Sequence, residues 1–385
     1  MKLILGKSLI QQLILLMLLL TPIYNFGEII AYSTGNVLRD NPNLSTPIYI
    51  KLLKDFFFIL IILIASIEII INKVTNKLFL FLVPLLVIVS IAIIINKNGI
   101  FSIASGIKWI LPIVLIFFLF DKTDDLFLNK IANILFKLLW IHLTIQIFQL
   151  FFMPTFFGAS YYGFSNRNPG LFAMPSTASF FAILVIYFNF FYSNLSKKTL
   201  LILCTLSVIL TASGAGIAAI LLFFVFYFVP RRFYKILYIS MPFLLILFPI
   251  LIIFLTGRSE VFTVSGMIRV ILFMNILSNV NLFSPNFGLA TNNASLLGDQ
   301  SNIIATDSAI SMILANFGLI PFALFLVFYF SWMFVIFYNK NKELICFSLI
   351  FSIFALTSSL TESFPGNILF AVLIARYSPR IFKFS

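Results

Sequence analysis

Long apolar runs alternate with short polar segments along almost the whole chain. Most runs approach the roughly 20 predominantly apolar residues that a helix needs to cross a bilayer. The pattern predicts an all-α, polytopic membrane protein that forms a single transmembrane domain over residues 1–385, with about twelve transmembrane helices. The predicted spans are residues 8–30, 55–72, 78–95, 99–120, 131–152, 171–192, 199–212, 215–229, 236–256, 308–335, 344–360 and 366–378.

One apolar run, from Thr199 to Val229, has 31 residues and is too long for one upright span. Small residues cluster near its middle, at 211–216, where they favour a tight turn or a break. We therefore predict two short spans, one on each side of this cluster. The alternative, one tilted span, would place the basic residues at 231–235 outside, against the positive-inside rule.

Composition excludes a soluble globular protein. Apolar residues make up 62% of the chain and charged residues 10%, and the mean hydropathy is +1.13, whereas about a quarter of the residues of a soluble domain are charged. A net charge of +13 is compatible with nucleic-acid binding, but basic residues in a polytopic protein first determine its topology. Nucleic acid is therefore not a predicted partner.

The distribution of lysine and arginine predicts that both termini are cytoplasmic. With this orientation, 16 of the 25 basic residues lie in segments inside, 7 lie in segments outside, and the other two lie within spans. The excess inside follows the positive-inside rule in almost every short loop. The same topology places three functionally interesting polar segments outside: residues 153–170, 257–307 and 361–367.

These external segments carry the candidate site residues. After residue 98, every basic residue predicted to lie outside is an arginine: Arg167, Arg258 and Arg269. The planar guanidinium group matches phosphate or carboxylate, whereas lysine suffices as a topology charge. This choice favours an anionic headgroup site at the outer membrane face. The alternative is that the three arginines extend to lipid phosphates.

Residues 258–280 have helical periodicity and predict an amphipathic helix at the membrane interface. Arg258 and Arg269 would return to nearly one face of this helix, about 16 Å apart along its axis. At that separation they cannot hold one diphosphate together unless the helix breaks near Gly266. One arginine is then expected to bind lipid phosphate and the other sugar.

Acidic residues at external span boundaries are candidates for chemistry. Asp307 begins the tenth predicted span, where it is either an N-cap or a general base within reach of Arg258. Glu362 lies at another external boundary and either contacts substrate or pairs with an arginine. Glu68 and His142 lie within spans, where an ionisable group suggests function. For both we favour hydrogen bonding within the bundle.

Several kinds of chemistry have no support in the sequence. The chain contains no phosphate-cradling glycine-rich loop followed by Lys-Ser/Thr and no G-x-S-x-G motif. It has one histidine, and its two cysteines lie in apolar runs, so a metal site built on these residues is not predicted. We expect no nucleotide, metal or other cofactor.

Short motifs stand at the edges of the external segments. They are Ser165-Asn166-Arg167-Asn168-Pro169-Gly170 leading into Leu171-Phe172-Ala173, Thr256-Gly257-Arg258, Thr306-Asp307-Ser308 followed by Leu314-Ala315-Asn316-Phe317-Gly318-Leu319, and Thr361-Glu362-Ser363. In a many-span frame, these motifs resemble the O-antigen ligase and polymerase superfamily, in particular Wzy-type polymerases of bacterial surface polysaccharide. The resemblance covers most of the chain from about residue 100.

The resemblance implies a GT-C-like membrane fold and an inverting, metal-independent glycosyl transfer at the outer face of the bacterial cytoplasmic membrane. A growing glycan on undecaprenyl diphosphate would pass to a new lipid-linked repeat unit. The family pattern assigns Arg167 and Arg258 to the diphosphate. A base would then take the proton of the acceptor hydroxyl, and our first choice for it is Asp307, with Glu260 the second. The remaining predicted substrate contacts are Asn168, Arg269 and Glu362.

The same resemblance implies partners. These are undecaprenyl-diphosphate-linked oligosaccharide, membrane lipids, and the chain-length regulator and flippase of the same pathway. Two departures from the family pattern bear on the alternatives. Relatives often have Ser-Arg at the seventh span, whereas here Ser213 is followed by Gly214, so one basic contact is missing or supplied elsewhere. The ligase branch carries a histidine in the large loop and this chain has none there, which favours polymerase over lipid-linked glycan ligase.

A transporter or flippase of lipid-linked oligosaccharide is the alternative from another class. Transporters commonly have repeated halves, broken spans and ionisable residues near the midplane of the bilayer. Here the polar residues collect in external loops, and the sequence has no evident internal repeat. A transporter would have to use Glu68, Lys108 and His142.

Overall fold

The computed structural model describes residues 5–33, 46–72, 79–119, 122–152, 167–172, 174–233, 236, 259–291, 304, 308–338 and 341–381. These residues form helices, turns and irregular segments and include no strand, so the all-helical prediction is confirmed for this part of the chain. The helices are α1 (Leu5–Leu19), α2 (Thr21–Tyr24), α3 (Phe26–Ser33), α4 (Ile48–Asn72), α5 (Phe79–Ile94), α6 (Gly99–Phe118), α7 (Asp125–Phe152), α8 (Pro175–Tyr192), α9 (Lys197–Thr211), α10 (Gly214–Phe228), α11 (Ser259–Asn279), α12 (Ala309–Phe317), α13 (Leu319–Tyr338), α14 (Lys342–Thr357) and α15 (Gly366–Ile381).

Within the described residues, four helices are long and apolar enough to cross a membrane: α6, α7, α8 and α13. Shorter apolar helices accompany them, including most of α1, α5 and α10. This combination is consistent with a multi-pass membrane protein. The total of twelve spans stays a prediction, and nearly all of the predicted span 236–256 lies outside the described residues.

Two predicted spans are wrong in one respect, because the helix breaks within them. The first predicted span consists of three helices, with breaks at Leu20 and Asn25. Pro22 lies in the first turn of α2, where its missing N–H leaves no helical hydrogen bond unmade. The tenth predicted span breaks at Gly318, whose φ of +96° is a conformation open to glycine.

The predicted break between α9 and α10 is confirmed. α9 ends at Thr211 and α10 begins at Gly214, and Ala212 between them has a φ of +46°. A Cβ built on Gly216 would lie 3.1 Å from Val208 Cγ1. Eight residues of straight helix extend about 12 Å, so this proximity shows that the helix does not run straight through the break.

The chain folds into two compact units, each with its own core. Unit 1 contains Met1–Thr75, Phe118–Ile220 and Ser363–Arg376, and unit 2 contains Asn76–Phe117, Leu221–Glu362 and Tyr377–Ser385. In unit 1, α8 is buried along most of its length and packs against α7 and α9. The core of unit 2 is an apolar cluster of Ala92, Trp109, Ile110, Phe287, Met312 and Phe317.

Ion pairs hold one end of unit 1 together. Lys7 Nζ lies 2.9 Å from Asp124 Oδ2, and Lys122 Nζ lies 2.6 Å from Glu68 Oε1. Arg376, near the end of the unit, pairs with an aspartate of the same cluster of segments. The predicted topology places all of these segments at the cytoplasmic side, so their proximity agrees with it. The favoured interpretation of Glu68, bonding within the bundle, is confirmed.

The pair formed by Glu68 and Lys122 allows a stability test. Only 11% of the Glu68 side chain and 15% of the Lys122 side chain are exposed. Removing one partner leaves the other charge poorly solvated. We therefore expect Glu68→Gln to lower the free energy of unfolding by about 2 kcal/mol. This is less than the roughly 3–5 kcal/mol lost when a fully buried pair is broken, because both side chains are partly exposed. The double variant Glu68→Gln/Lys122→Met should unfold close to the wild-type temperature. Thermal unfolding in detergent measures both, and a double variant no more stable than the single one contradicts this expectation.

A second set of contacts in unit 1 lies past the C-terminal end of α1. The length of this helix separates Lys7, near its start, from Tyr24 by about 20 Å. Asn25 Nδ2 donates to the backbone oxygen of Leu171 over 3.3 Å. The rings of Tyr24 and Phe364 meet edge to face with centroids 5.0 Å apart. Phe364 belongs to a segment predicted outside, and Tyr24, Asn25 and Leu171 lie near the ends of predicted spans that face the same side. The two groups of contacts in unit 1 therefore agree with the two predicted sides of the membrane.

Unit 2 pairs its segments in the same way. Lys342 contacts the ring and backbone of Tyr227. Lys342 belongs to a segment predicted inside, and Tyr227 lies near the inner end of a predicted span. Asn98 Nδ2 donates to the backbone oxygen of Pro285 over 3.0 Å, and both belong to segments predicted outside. In both units, therefore, helix ends that are predicted to lie on the same side of the membrane contact each other. The side of the membrane on which each end lies stays a prediction.

Candidate functional site

A stripe of polar residues runs along α7. His142, Gln146 and Gln149 are fully buried, and their spacing puts them on one face of the helix. This face contacts residues 167–172, which end the predicted external segment and lead toward α8. α8 begins at Pro175, four residues later than predicted. The remainder of the external segment, residues 153–166, lies outside the described residues.

The two glutamines bind the backbone of residues 167–172. Gln146 Nε2 donates to the backbone oxygen of Asn168 over 2.9 Å. Gln149 Oε1 accepts from the backbone N–H of Gly170 over 2.8 Å. Buried irregular backbone needs such partners because it has no helix or strand ladder of its own. The segment is therefore held in one conformation although it is neither helix nor strand.

His142 binds the next residue of the segment. Its Nδ1 accepts from the backbone N–H of Leu171 over 3.1 Å. Because an accepting nitrogen carries no proton, the neutral imidazole carries its proton on Nε2. The rings of Phe172 and Phe181 pack against the imidazole, with centroids 5.3 and 5.5 Å away. The favoured interpretation of His142, a residue hydrogen-bonded within the bundle, is confirmed.

Gly170 permits this close contact between the segment and α7. Its φ is +59°, and a Cβ there would lie 2.3 Å from His142 Nδ1 and 2.8 Å from Gln146 Cγ. Both the backbone conformation and the space therefore require glycine. Any side chain at this position would push the segment away from the residues that bind it.

The hydrogen bond of His142 makes a second stability prediction. His142→Leu leaves the buried N–H of Leu171 without its acceptor, and we expect a loss of roughly 1–3 kcal/mol in unfolding free energy. Asparagine places its side-chain oxygen near the position of Nδ1, so His142→Asn should retain most of the stability. Thermal unfolding of both variants in detergent checks this. Equal losses would show that the accepting nitrogen does not stabilise the segment.

The segment also contacts the break between α9 and α10. The backbone N–H of Asn168 donates to the backbone oxygen of Leu210, in the last turn of α9, over 3.0 Å. At the break itself, Ser179 Oγ of α8 donates to Ser213 Oγ over 3.0 Å. The end of the predicted external segment and the cluster of small residues are therefore neighbours in unit 1.

Arg167 and Asn168 differ in exposure. Arg167 is partly exposed, and Asn168 is 2% exposed with both its backbone N–H and its oxygen hydrogen-bonded. The backbone directly after Arg167 is therefore fixed. This arrangement suits an arginine that must stay in one place, because the guanidinium group then moves only through its own side-chain torsions.

The other predicted site residues belong to unit 2. Arg258 and Asp307 lie outside the described residues, and Glu260 lies in the first turn of α11 with its side chain outside the described part. Arg269 is partly exposed near the middle of α11, and Glu362 is partly exposed in the turn that follows α14. Their predicted contacts with substrate stay predictions.

α11 confirms the helix predicted over residues 258–280. It is continuous from Ser259 to Asn279, so the break considered near Gly266 does not occur. Val270 and Met274 are more than half exposed, as expected of a helix that meets lipid. The location of this helix at the membrane interface stays a prediction.

The N-cap of α12 is Ser308. Its Oγ accepts from the backbone N–H of Ser311 over 3.3 Å. One of the two interpretations of Asp307, the N-cap, is therefore wrong, because the following residue performs that function. The other interpretation, a general base, stays a prediction.

Part of the predicted external loop 257–307 is packed within unit 2. Residues 281–291 are irregular, and Ser284 and Phe287 in this stretch are buried. Ser284 binds the end of α12 through its backbone N–H, which donates to the oxygen of Phe317 over 3.1 Å. This stretch therefore forms part of the helix packing.

Asn316 holds the same stretch from the middle of an apolar motif. Its Oδ1 accepts from the N–H groups of Gly288 and Ala290 over 2.8 and 3.3 Å, and its Nδ2 donates to the oxygen of Ala290 over 2.9 Å. Sequence reasoning missed this role, and it missed Gln146 and Gln149 in the same way. The available signal was an amide within an apolar helix, since a buried amide requires partners.

Among the side chains that the structure describes, no three His, Cys, Asp or Glu residues group closely enough to hold a metal ion. No protein-family model, no curated protein and no solved structure matches the chain. Function is therefore inferred from the residues and their geometry.

Proposed function

We propose that the protein polymerises lipid-linked oligosaccharide repeat units of a bacterial surface polysaccharide, whether O-antigen, capsule or exopolysaccharide. The observation that carries the proposal is the support beneath Arg167. Buried side chains of α7 and the last turn of α9 hold the backbone that follows this arginine. A cation on a fixed support suits an anionic, lipid-linked substrate that must be held during a reaction.

The proposed reaction transfers a glycan from undecaprenyl diphosphate to a hydroxyl group of a new repeat unit, with inversion at the sugar. Departure of the diphosphate develops negative charge, which fixed guanidinium groups stabilise. Arg167 and Arg258 have this role, and Asp307, with Glu260 as the second choice, accepts the proton of the attacking hydroxyl. The further substrate contacts in the proposal are Asn168, Arg269 and Glu362.

The proposal includes the topology of the chain. It has about twelve spans in a GT-C-like arrangement, cytoplasmic termini and a reaction site at the outer face of the inner membrane. Two groups of contacts in unit 1 support this arrangement. The ion pair between Lys122 and Glu68 lies near predicted helix ends assigned to the inside, and the bond from Asn25 to Leu171 joins two predicted spans near the ends assigned to the outside.

Two alternatives differ in what they predict. A lipid-linked glycan ligase uses the same donor and belongs to the same class of enzyme. A transporter or flippase would use Glu68 and His142 as intramembrane ionisable groups. Glu68 pairs with Lys122 and His142 accepts from Leu171, so both have structural partners, which supports the enzyme over the transporter. A flippase and a chain-length regulator would then be separate partner proteins.

Deletion of the gene tests the proposal. Because repeat units are still made and exported in a strain without the polymerase, single units on undecaprenyl diphosphate should accumulate at the outer face and long chains should disappear. A membrane-impermeant sugar label applied to intact cells, compared with broken cells, measures the side on which the units lie. Expression of the wild-type chain in this strain should restore the ladder of chain lengths on a polysaccharide gel.

Other outcomes of the deletion would identify the alternatives. Units confined to the cytoplasmic face would indicate a flippase. Long chains that remain on the lipid carrier would indicate a ligase. An unchanged ladder of chain lengths would contradict all three functions.

A further inference from the structure

The exposed face of α7 carries a basic stripe that consists of Lys130, Asn133 and Lys137. All three side chains are exposed, and their spacing of three and four residues places them on one side of the helix. Trp140 and Ile141, which follow on the same side, are 50% and 47% exposed. This side is turned away from the buried polar residues of the same helix, so it does not contribute to the packing of unit 1.

The two lysines of the basic stripe have no carboxylate partner in the described part of the chain. Lys7, Lys122 and Arg376, at the end of unit 1 where the ion pairs lie, each pair with an acidic side chain. Lys130 and Lys137 make no such pair with any described residue. The stripe therefore presents two positive charges that the described protein does not balance.

The length of α7 indicates where the stripe lies in a bilayer. The helix is long and apolar enough to cross a membrane, and its 28 residues extend about 42 Å, whereas the hydrocarbon core is roughly 30 Å thick. The polar residues lie toward Asp125, so the excess of about 12 Å belongs to the headgroup region at this end.

Both lysines can reach that headgroup region. Lys130 lies about 8 Å from the start of α7, within the region, and Lys137 lies only about 6 Å beyond its boundary with the hydrocarbon core. Side chains of a helix point back toward its N-terminus, so the long side chain of Lys137 extends toward the headgroups and toward Lys130. The two ammonium groups can therefore contact the same headgroup.

The chemistry of this face changes in a fixed order along the helix. Trp140 comes one turn after Lys137, and its ring meets that of Phe136 edge to face with centroids 6.3 Å apart. Indole rings favour the boundary between headgroups and hydrocarbon. Further along, Phe148 and Phe151 are 46% and 73% exposed. The order of basic, aromatic and apolar residues matches the order of headgroup, glycerol region and acyl chains in a phospholipid.

We propose that this face of α7 binds an anionic phospholipid, phosphatidylglycerol, in the leaflet at this end of unit 1. The predicted topology makes this the inner leaflet. The two ammonium groups bind the phosphate, Asn133 donates to a headgroup oxygen, and the acyl chains lie along Trp140 and the apolar residues beyond it. A zwitterionic headgroup fits less well, because it carries its own cation, which the lysines repel. The proposal goes beyond the polymerase function and does not depend on it.

Quenching of tryptophan fluorescence by brominated lipid tests the site in the purified full-length protein. The chain has three tryptophans, and Trp109 and Trp332 are only 2% and 9% exposed, so Trp140 is the tryptophan that lipid contacts most. The vesicles contain phosphatidylglycerol and an excess of phosphatidylcholine, with bromine on the acyl chains of one lipid at a time. The signal is the difference in quenching between the wild type and Trp140→Phe.

We expect phosphatidylglycerol to be enriched next to Trp140 relative to its share of the vesicle lipid. Each lysine near the headgroups strengthens binding of an anionic lipid about fivefold, so the two together give a preference of about 25-fold. Lys130→Gln and Lys137→Gln should each lower this preference about fivefold, and the double variant should remove it.

Matched controls separate the stripe from positive charge in general and from loss of fold. Lys198→Gln removes an exposed lysine in the first turn of α9, outside the basic stripe, and should leave the preference within a factor of two. Because neither lysine of the stripe has a described partner, the double variant Lys130→Gln/Lys137→Gln should unfold in detergent at the wild-type temperature.

Three results would overturn the proposal. The first is quenching by each lipid in proportion to its share of the vesicle. The second is a preference for phosphatidylglycerol that the double variant retains. The third is quenching of Trp140 by neither lipid, which would show that a protein surface covers this face of α7. None of these results bears on the polymerase function, which the deletion strain tests separately.

Discussion

Replacing Arg167 with alanine is expected to abolish long polysaccharide chains and to leave single repeat units at the cell surface. Its guanidinium group would stabilise the negative charge that develops on the leaving diphosphate. Removal of one such fixed group typically lowers the rate by about 100-fold or more. The readout is the ladder of chain lengths in the deletion strain that expresses the variant, and the rate of transfer in vesicles.

Arg167→Lys distinguishes charge from geometry. Lysine keeps the positive charge but lacks the planar fork that binds a diphosphate through two parallel hydrogen bonds, so we expect an intermediate rate. Arg232→Ala is the matched control, because it removes an exposed arginine in a segment predicted inside. It should leave both the ladder and the rate unchanged. Arg258→Ala is expected to behave like Arg167→Ala.

The loss of activity must not come from loss of fold. The backbone after Arg167 is held by Gln146, Gln149 and Leu210. These backbone contacts should persist in Arg167→Ala, and thermal unfolding in detergent measures whether the variant keeps its fold. A fully active Arg167→Ala, in a strain where deletion of the gene removes the long chains, would show that this arginine does not bind the diphosphate.

Helices in this chain could be predicted because each needs only a long apolar run, which is visible locally. Breaks were predictable only where the residues that form them cluster, as the small residues between Thr211 and Gly216 do. The break at Gly318 was missed because one glycine inside an apolar run is common. In the structure a Cβ at Gly318 would approach Leu282 O to 2.7 Å, and this contact joins residues that are far apart in the sequence.

The candidate site was predictable in part for the same reason. A polar loop with an arginine is visible in the sequence, so Arg167 was identified as a site residue. Its supporting residues were not, because Gln146 and Gln149 reveal their function only through partners 21 or 22 residues away. The partner of Asn316 is similarly distant, in a stretch that composition alone describes as an external loop.

Replacing Gly288 with alanine is expected to prevent folding of unit 2. Gly288 has a φ of +85°, and a Cβ there would lie 1.8 Å from the backbone oxygen of Ser102 and 2.8 Å from the backbone nitrogen of Gly106. Both atoms belong to the backbone of α6, which cannot rotate away as a side chain can. The hydrogen bond from Ser102 Oγ to the oxygen of Phe287 keeps the two segments together at this point. We expect a loss of more than about 4 kcal/mol, the range of severe core disruption.

Gly99→Ala is the matched control, because Gly99 has a similar φ of +81° but nothing within 4 Å of a built Cβ. It therefore carries only the conformational cost of a left-handed alanine, about 1–2 kcal/mol. Thermal unfolding in detergent and the yield of monodisperse protein measure both variants. If Gly288→Ala unfolds at the same temperature as Gly99→Ala, the irregular stretch 281–291 does not pack on α6 as the structure shows. A much larger loss at Gly288 assigns the difference to the contact with Ser102, since the backbone strain is common to both positions.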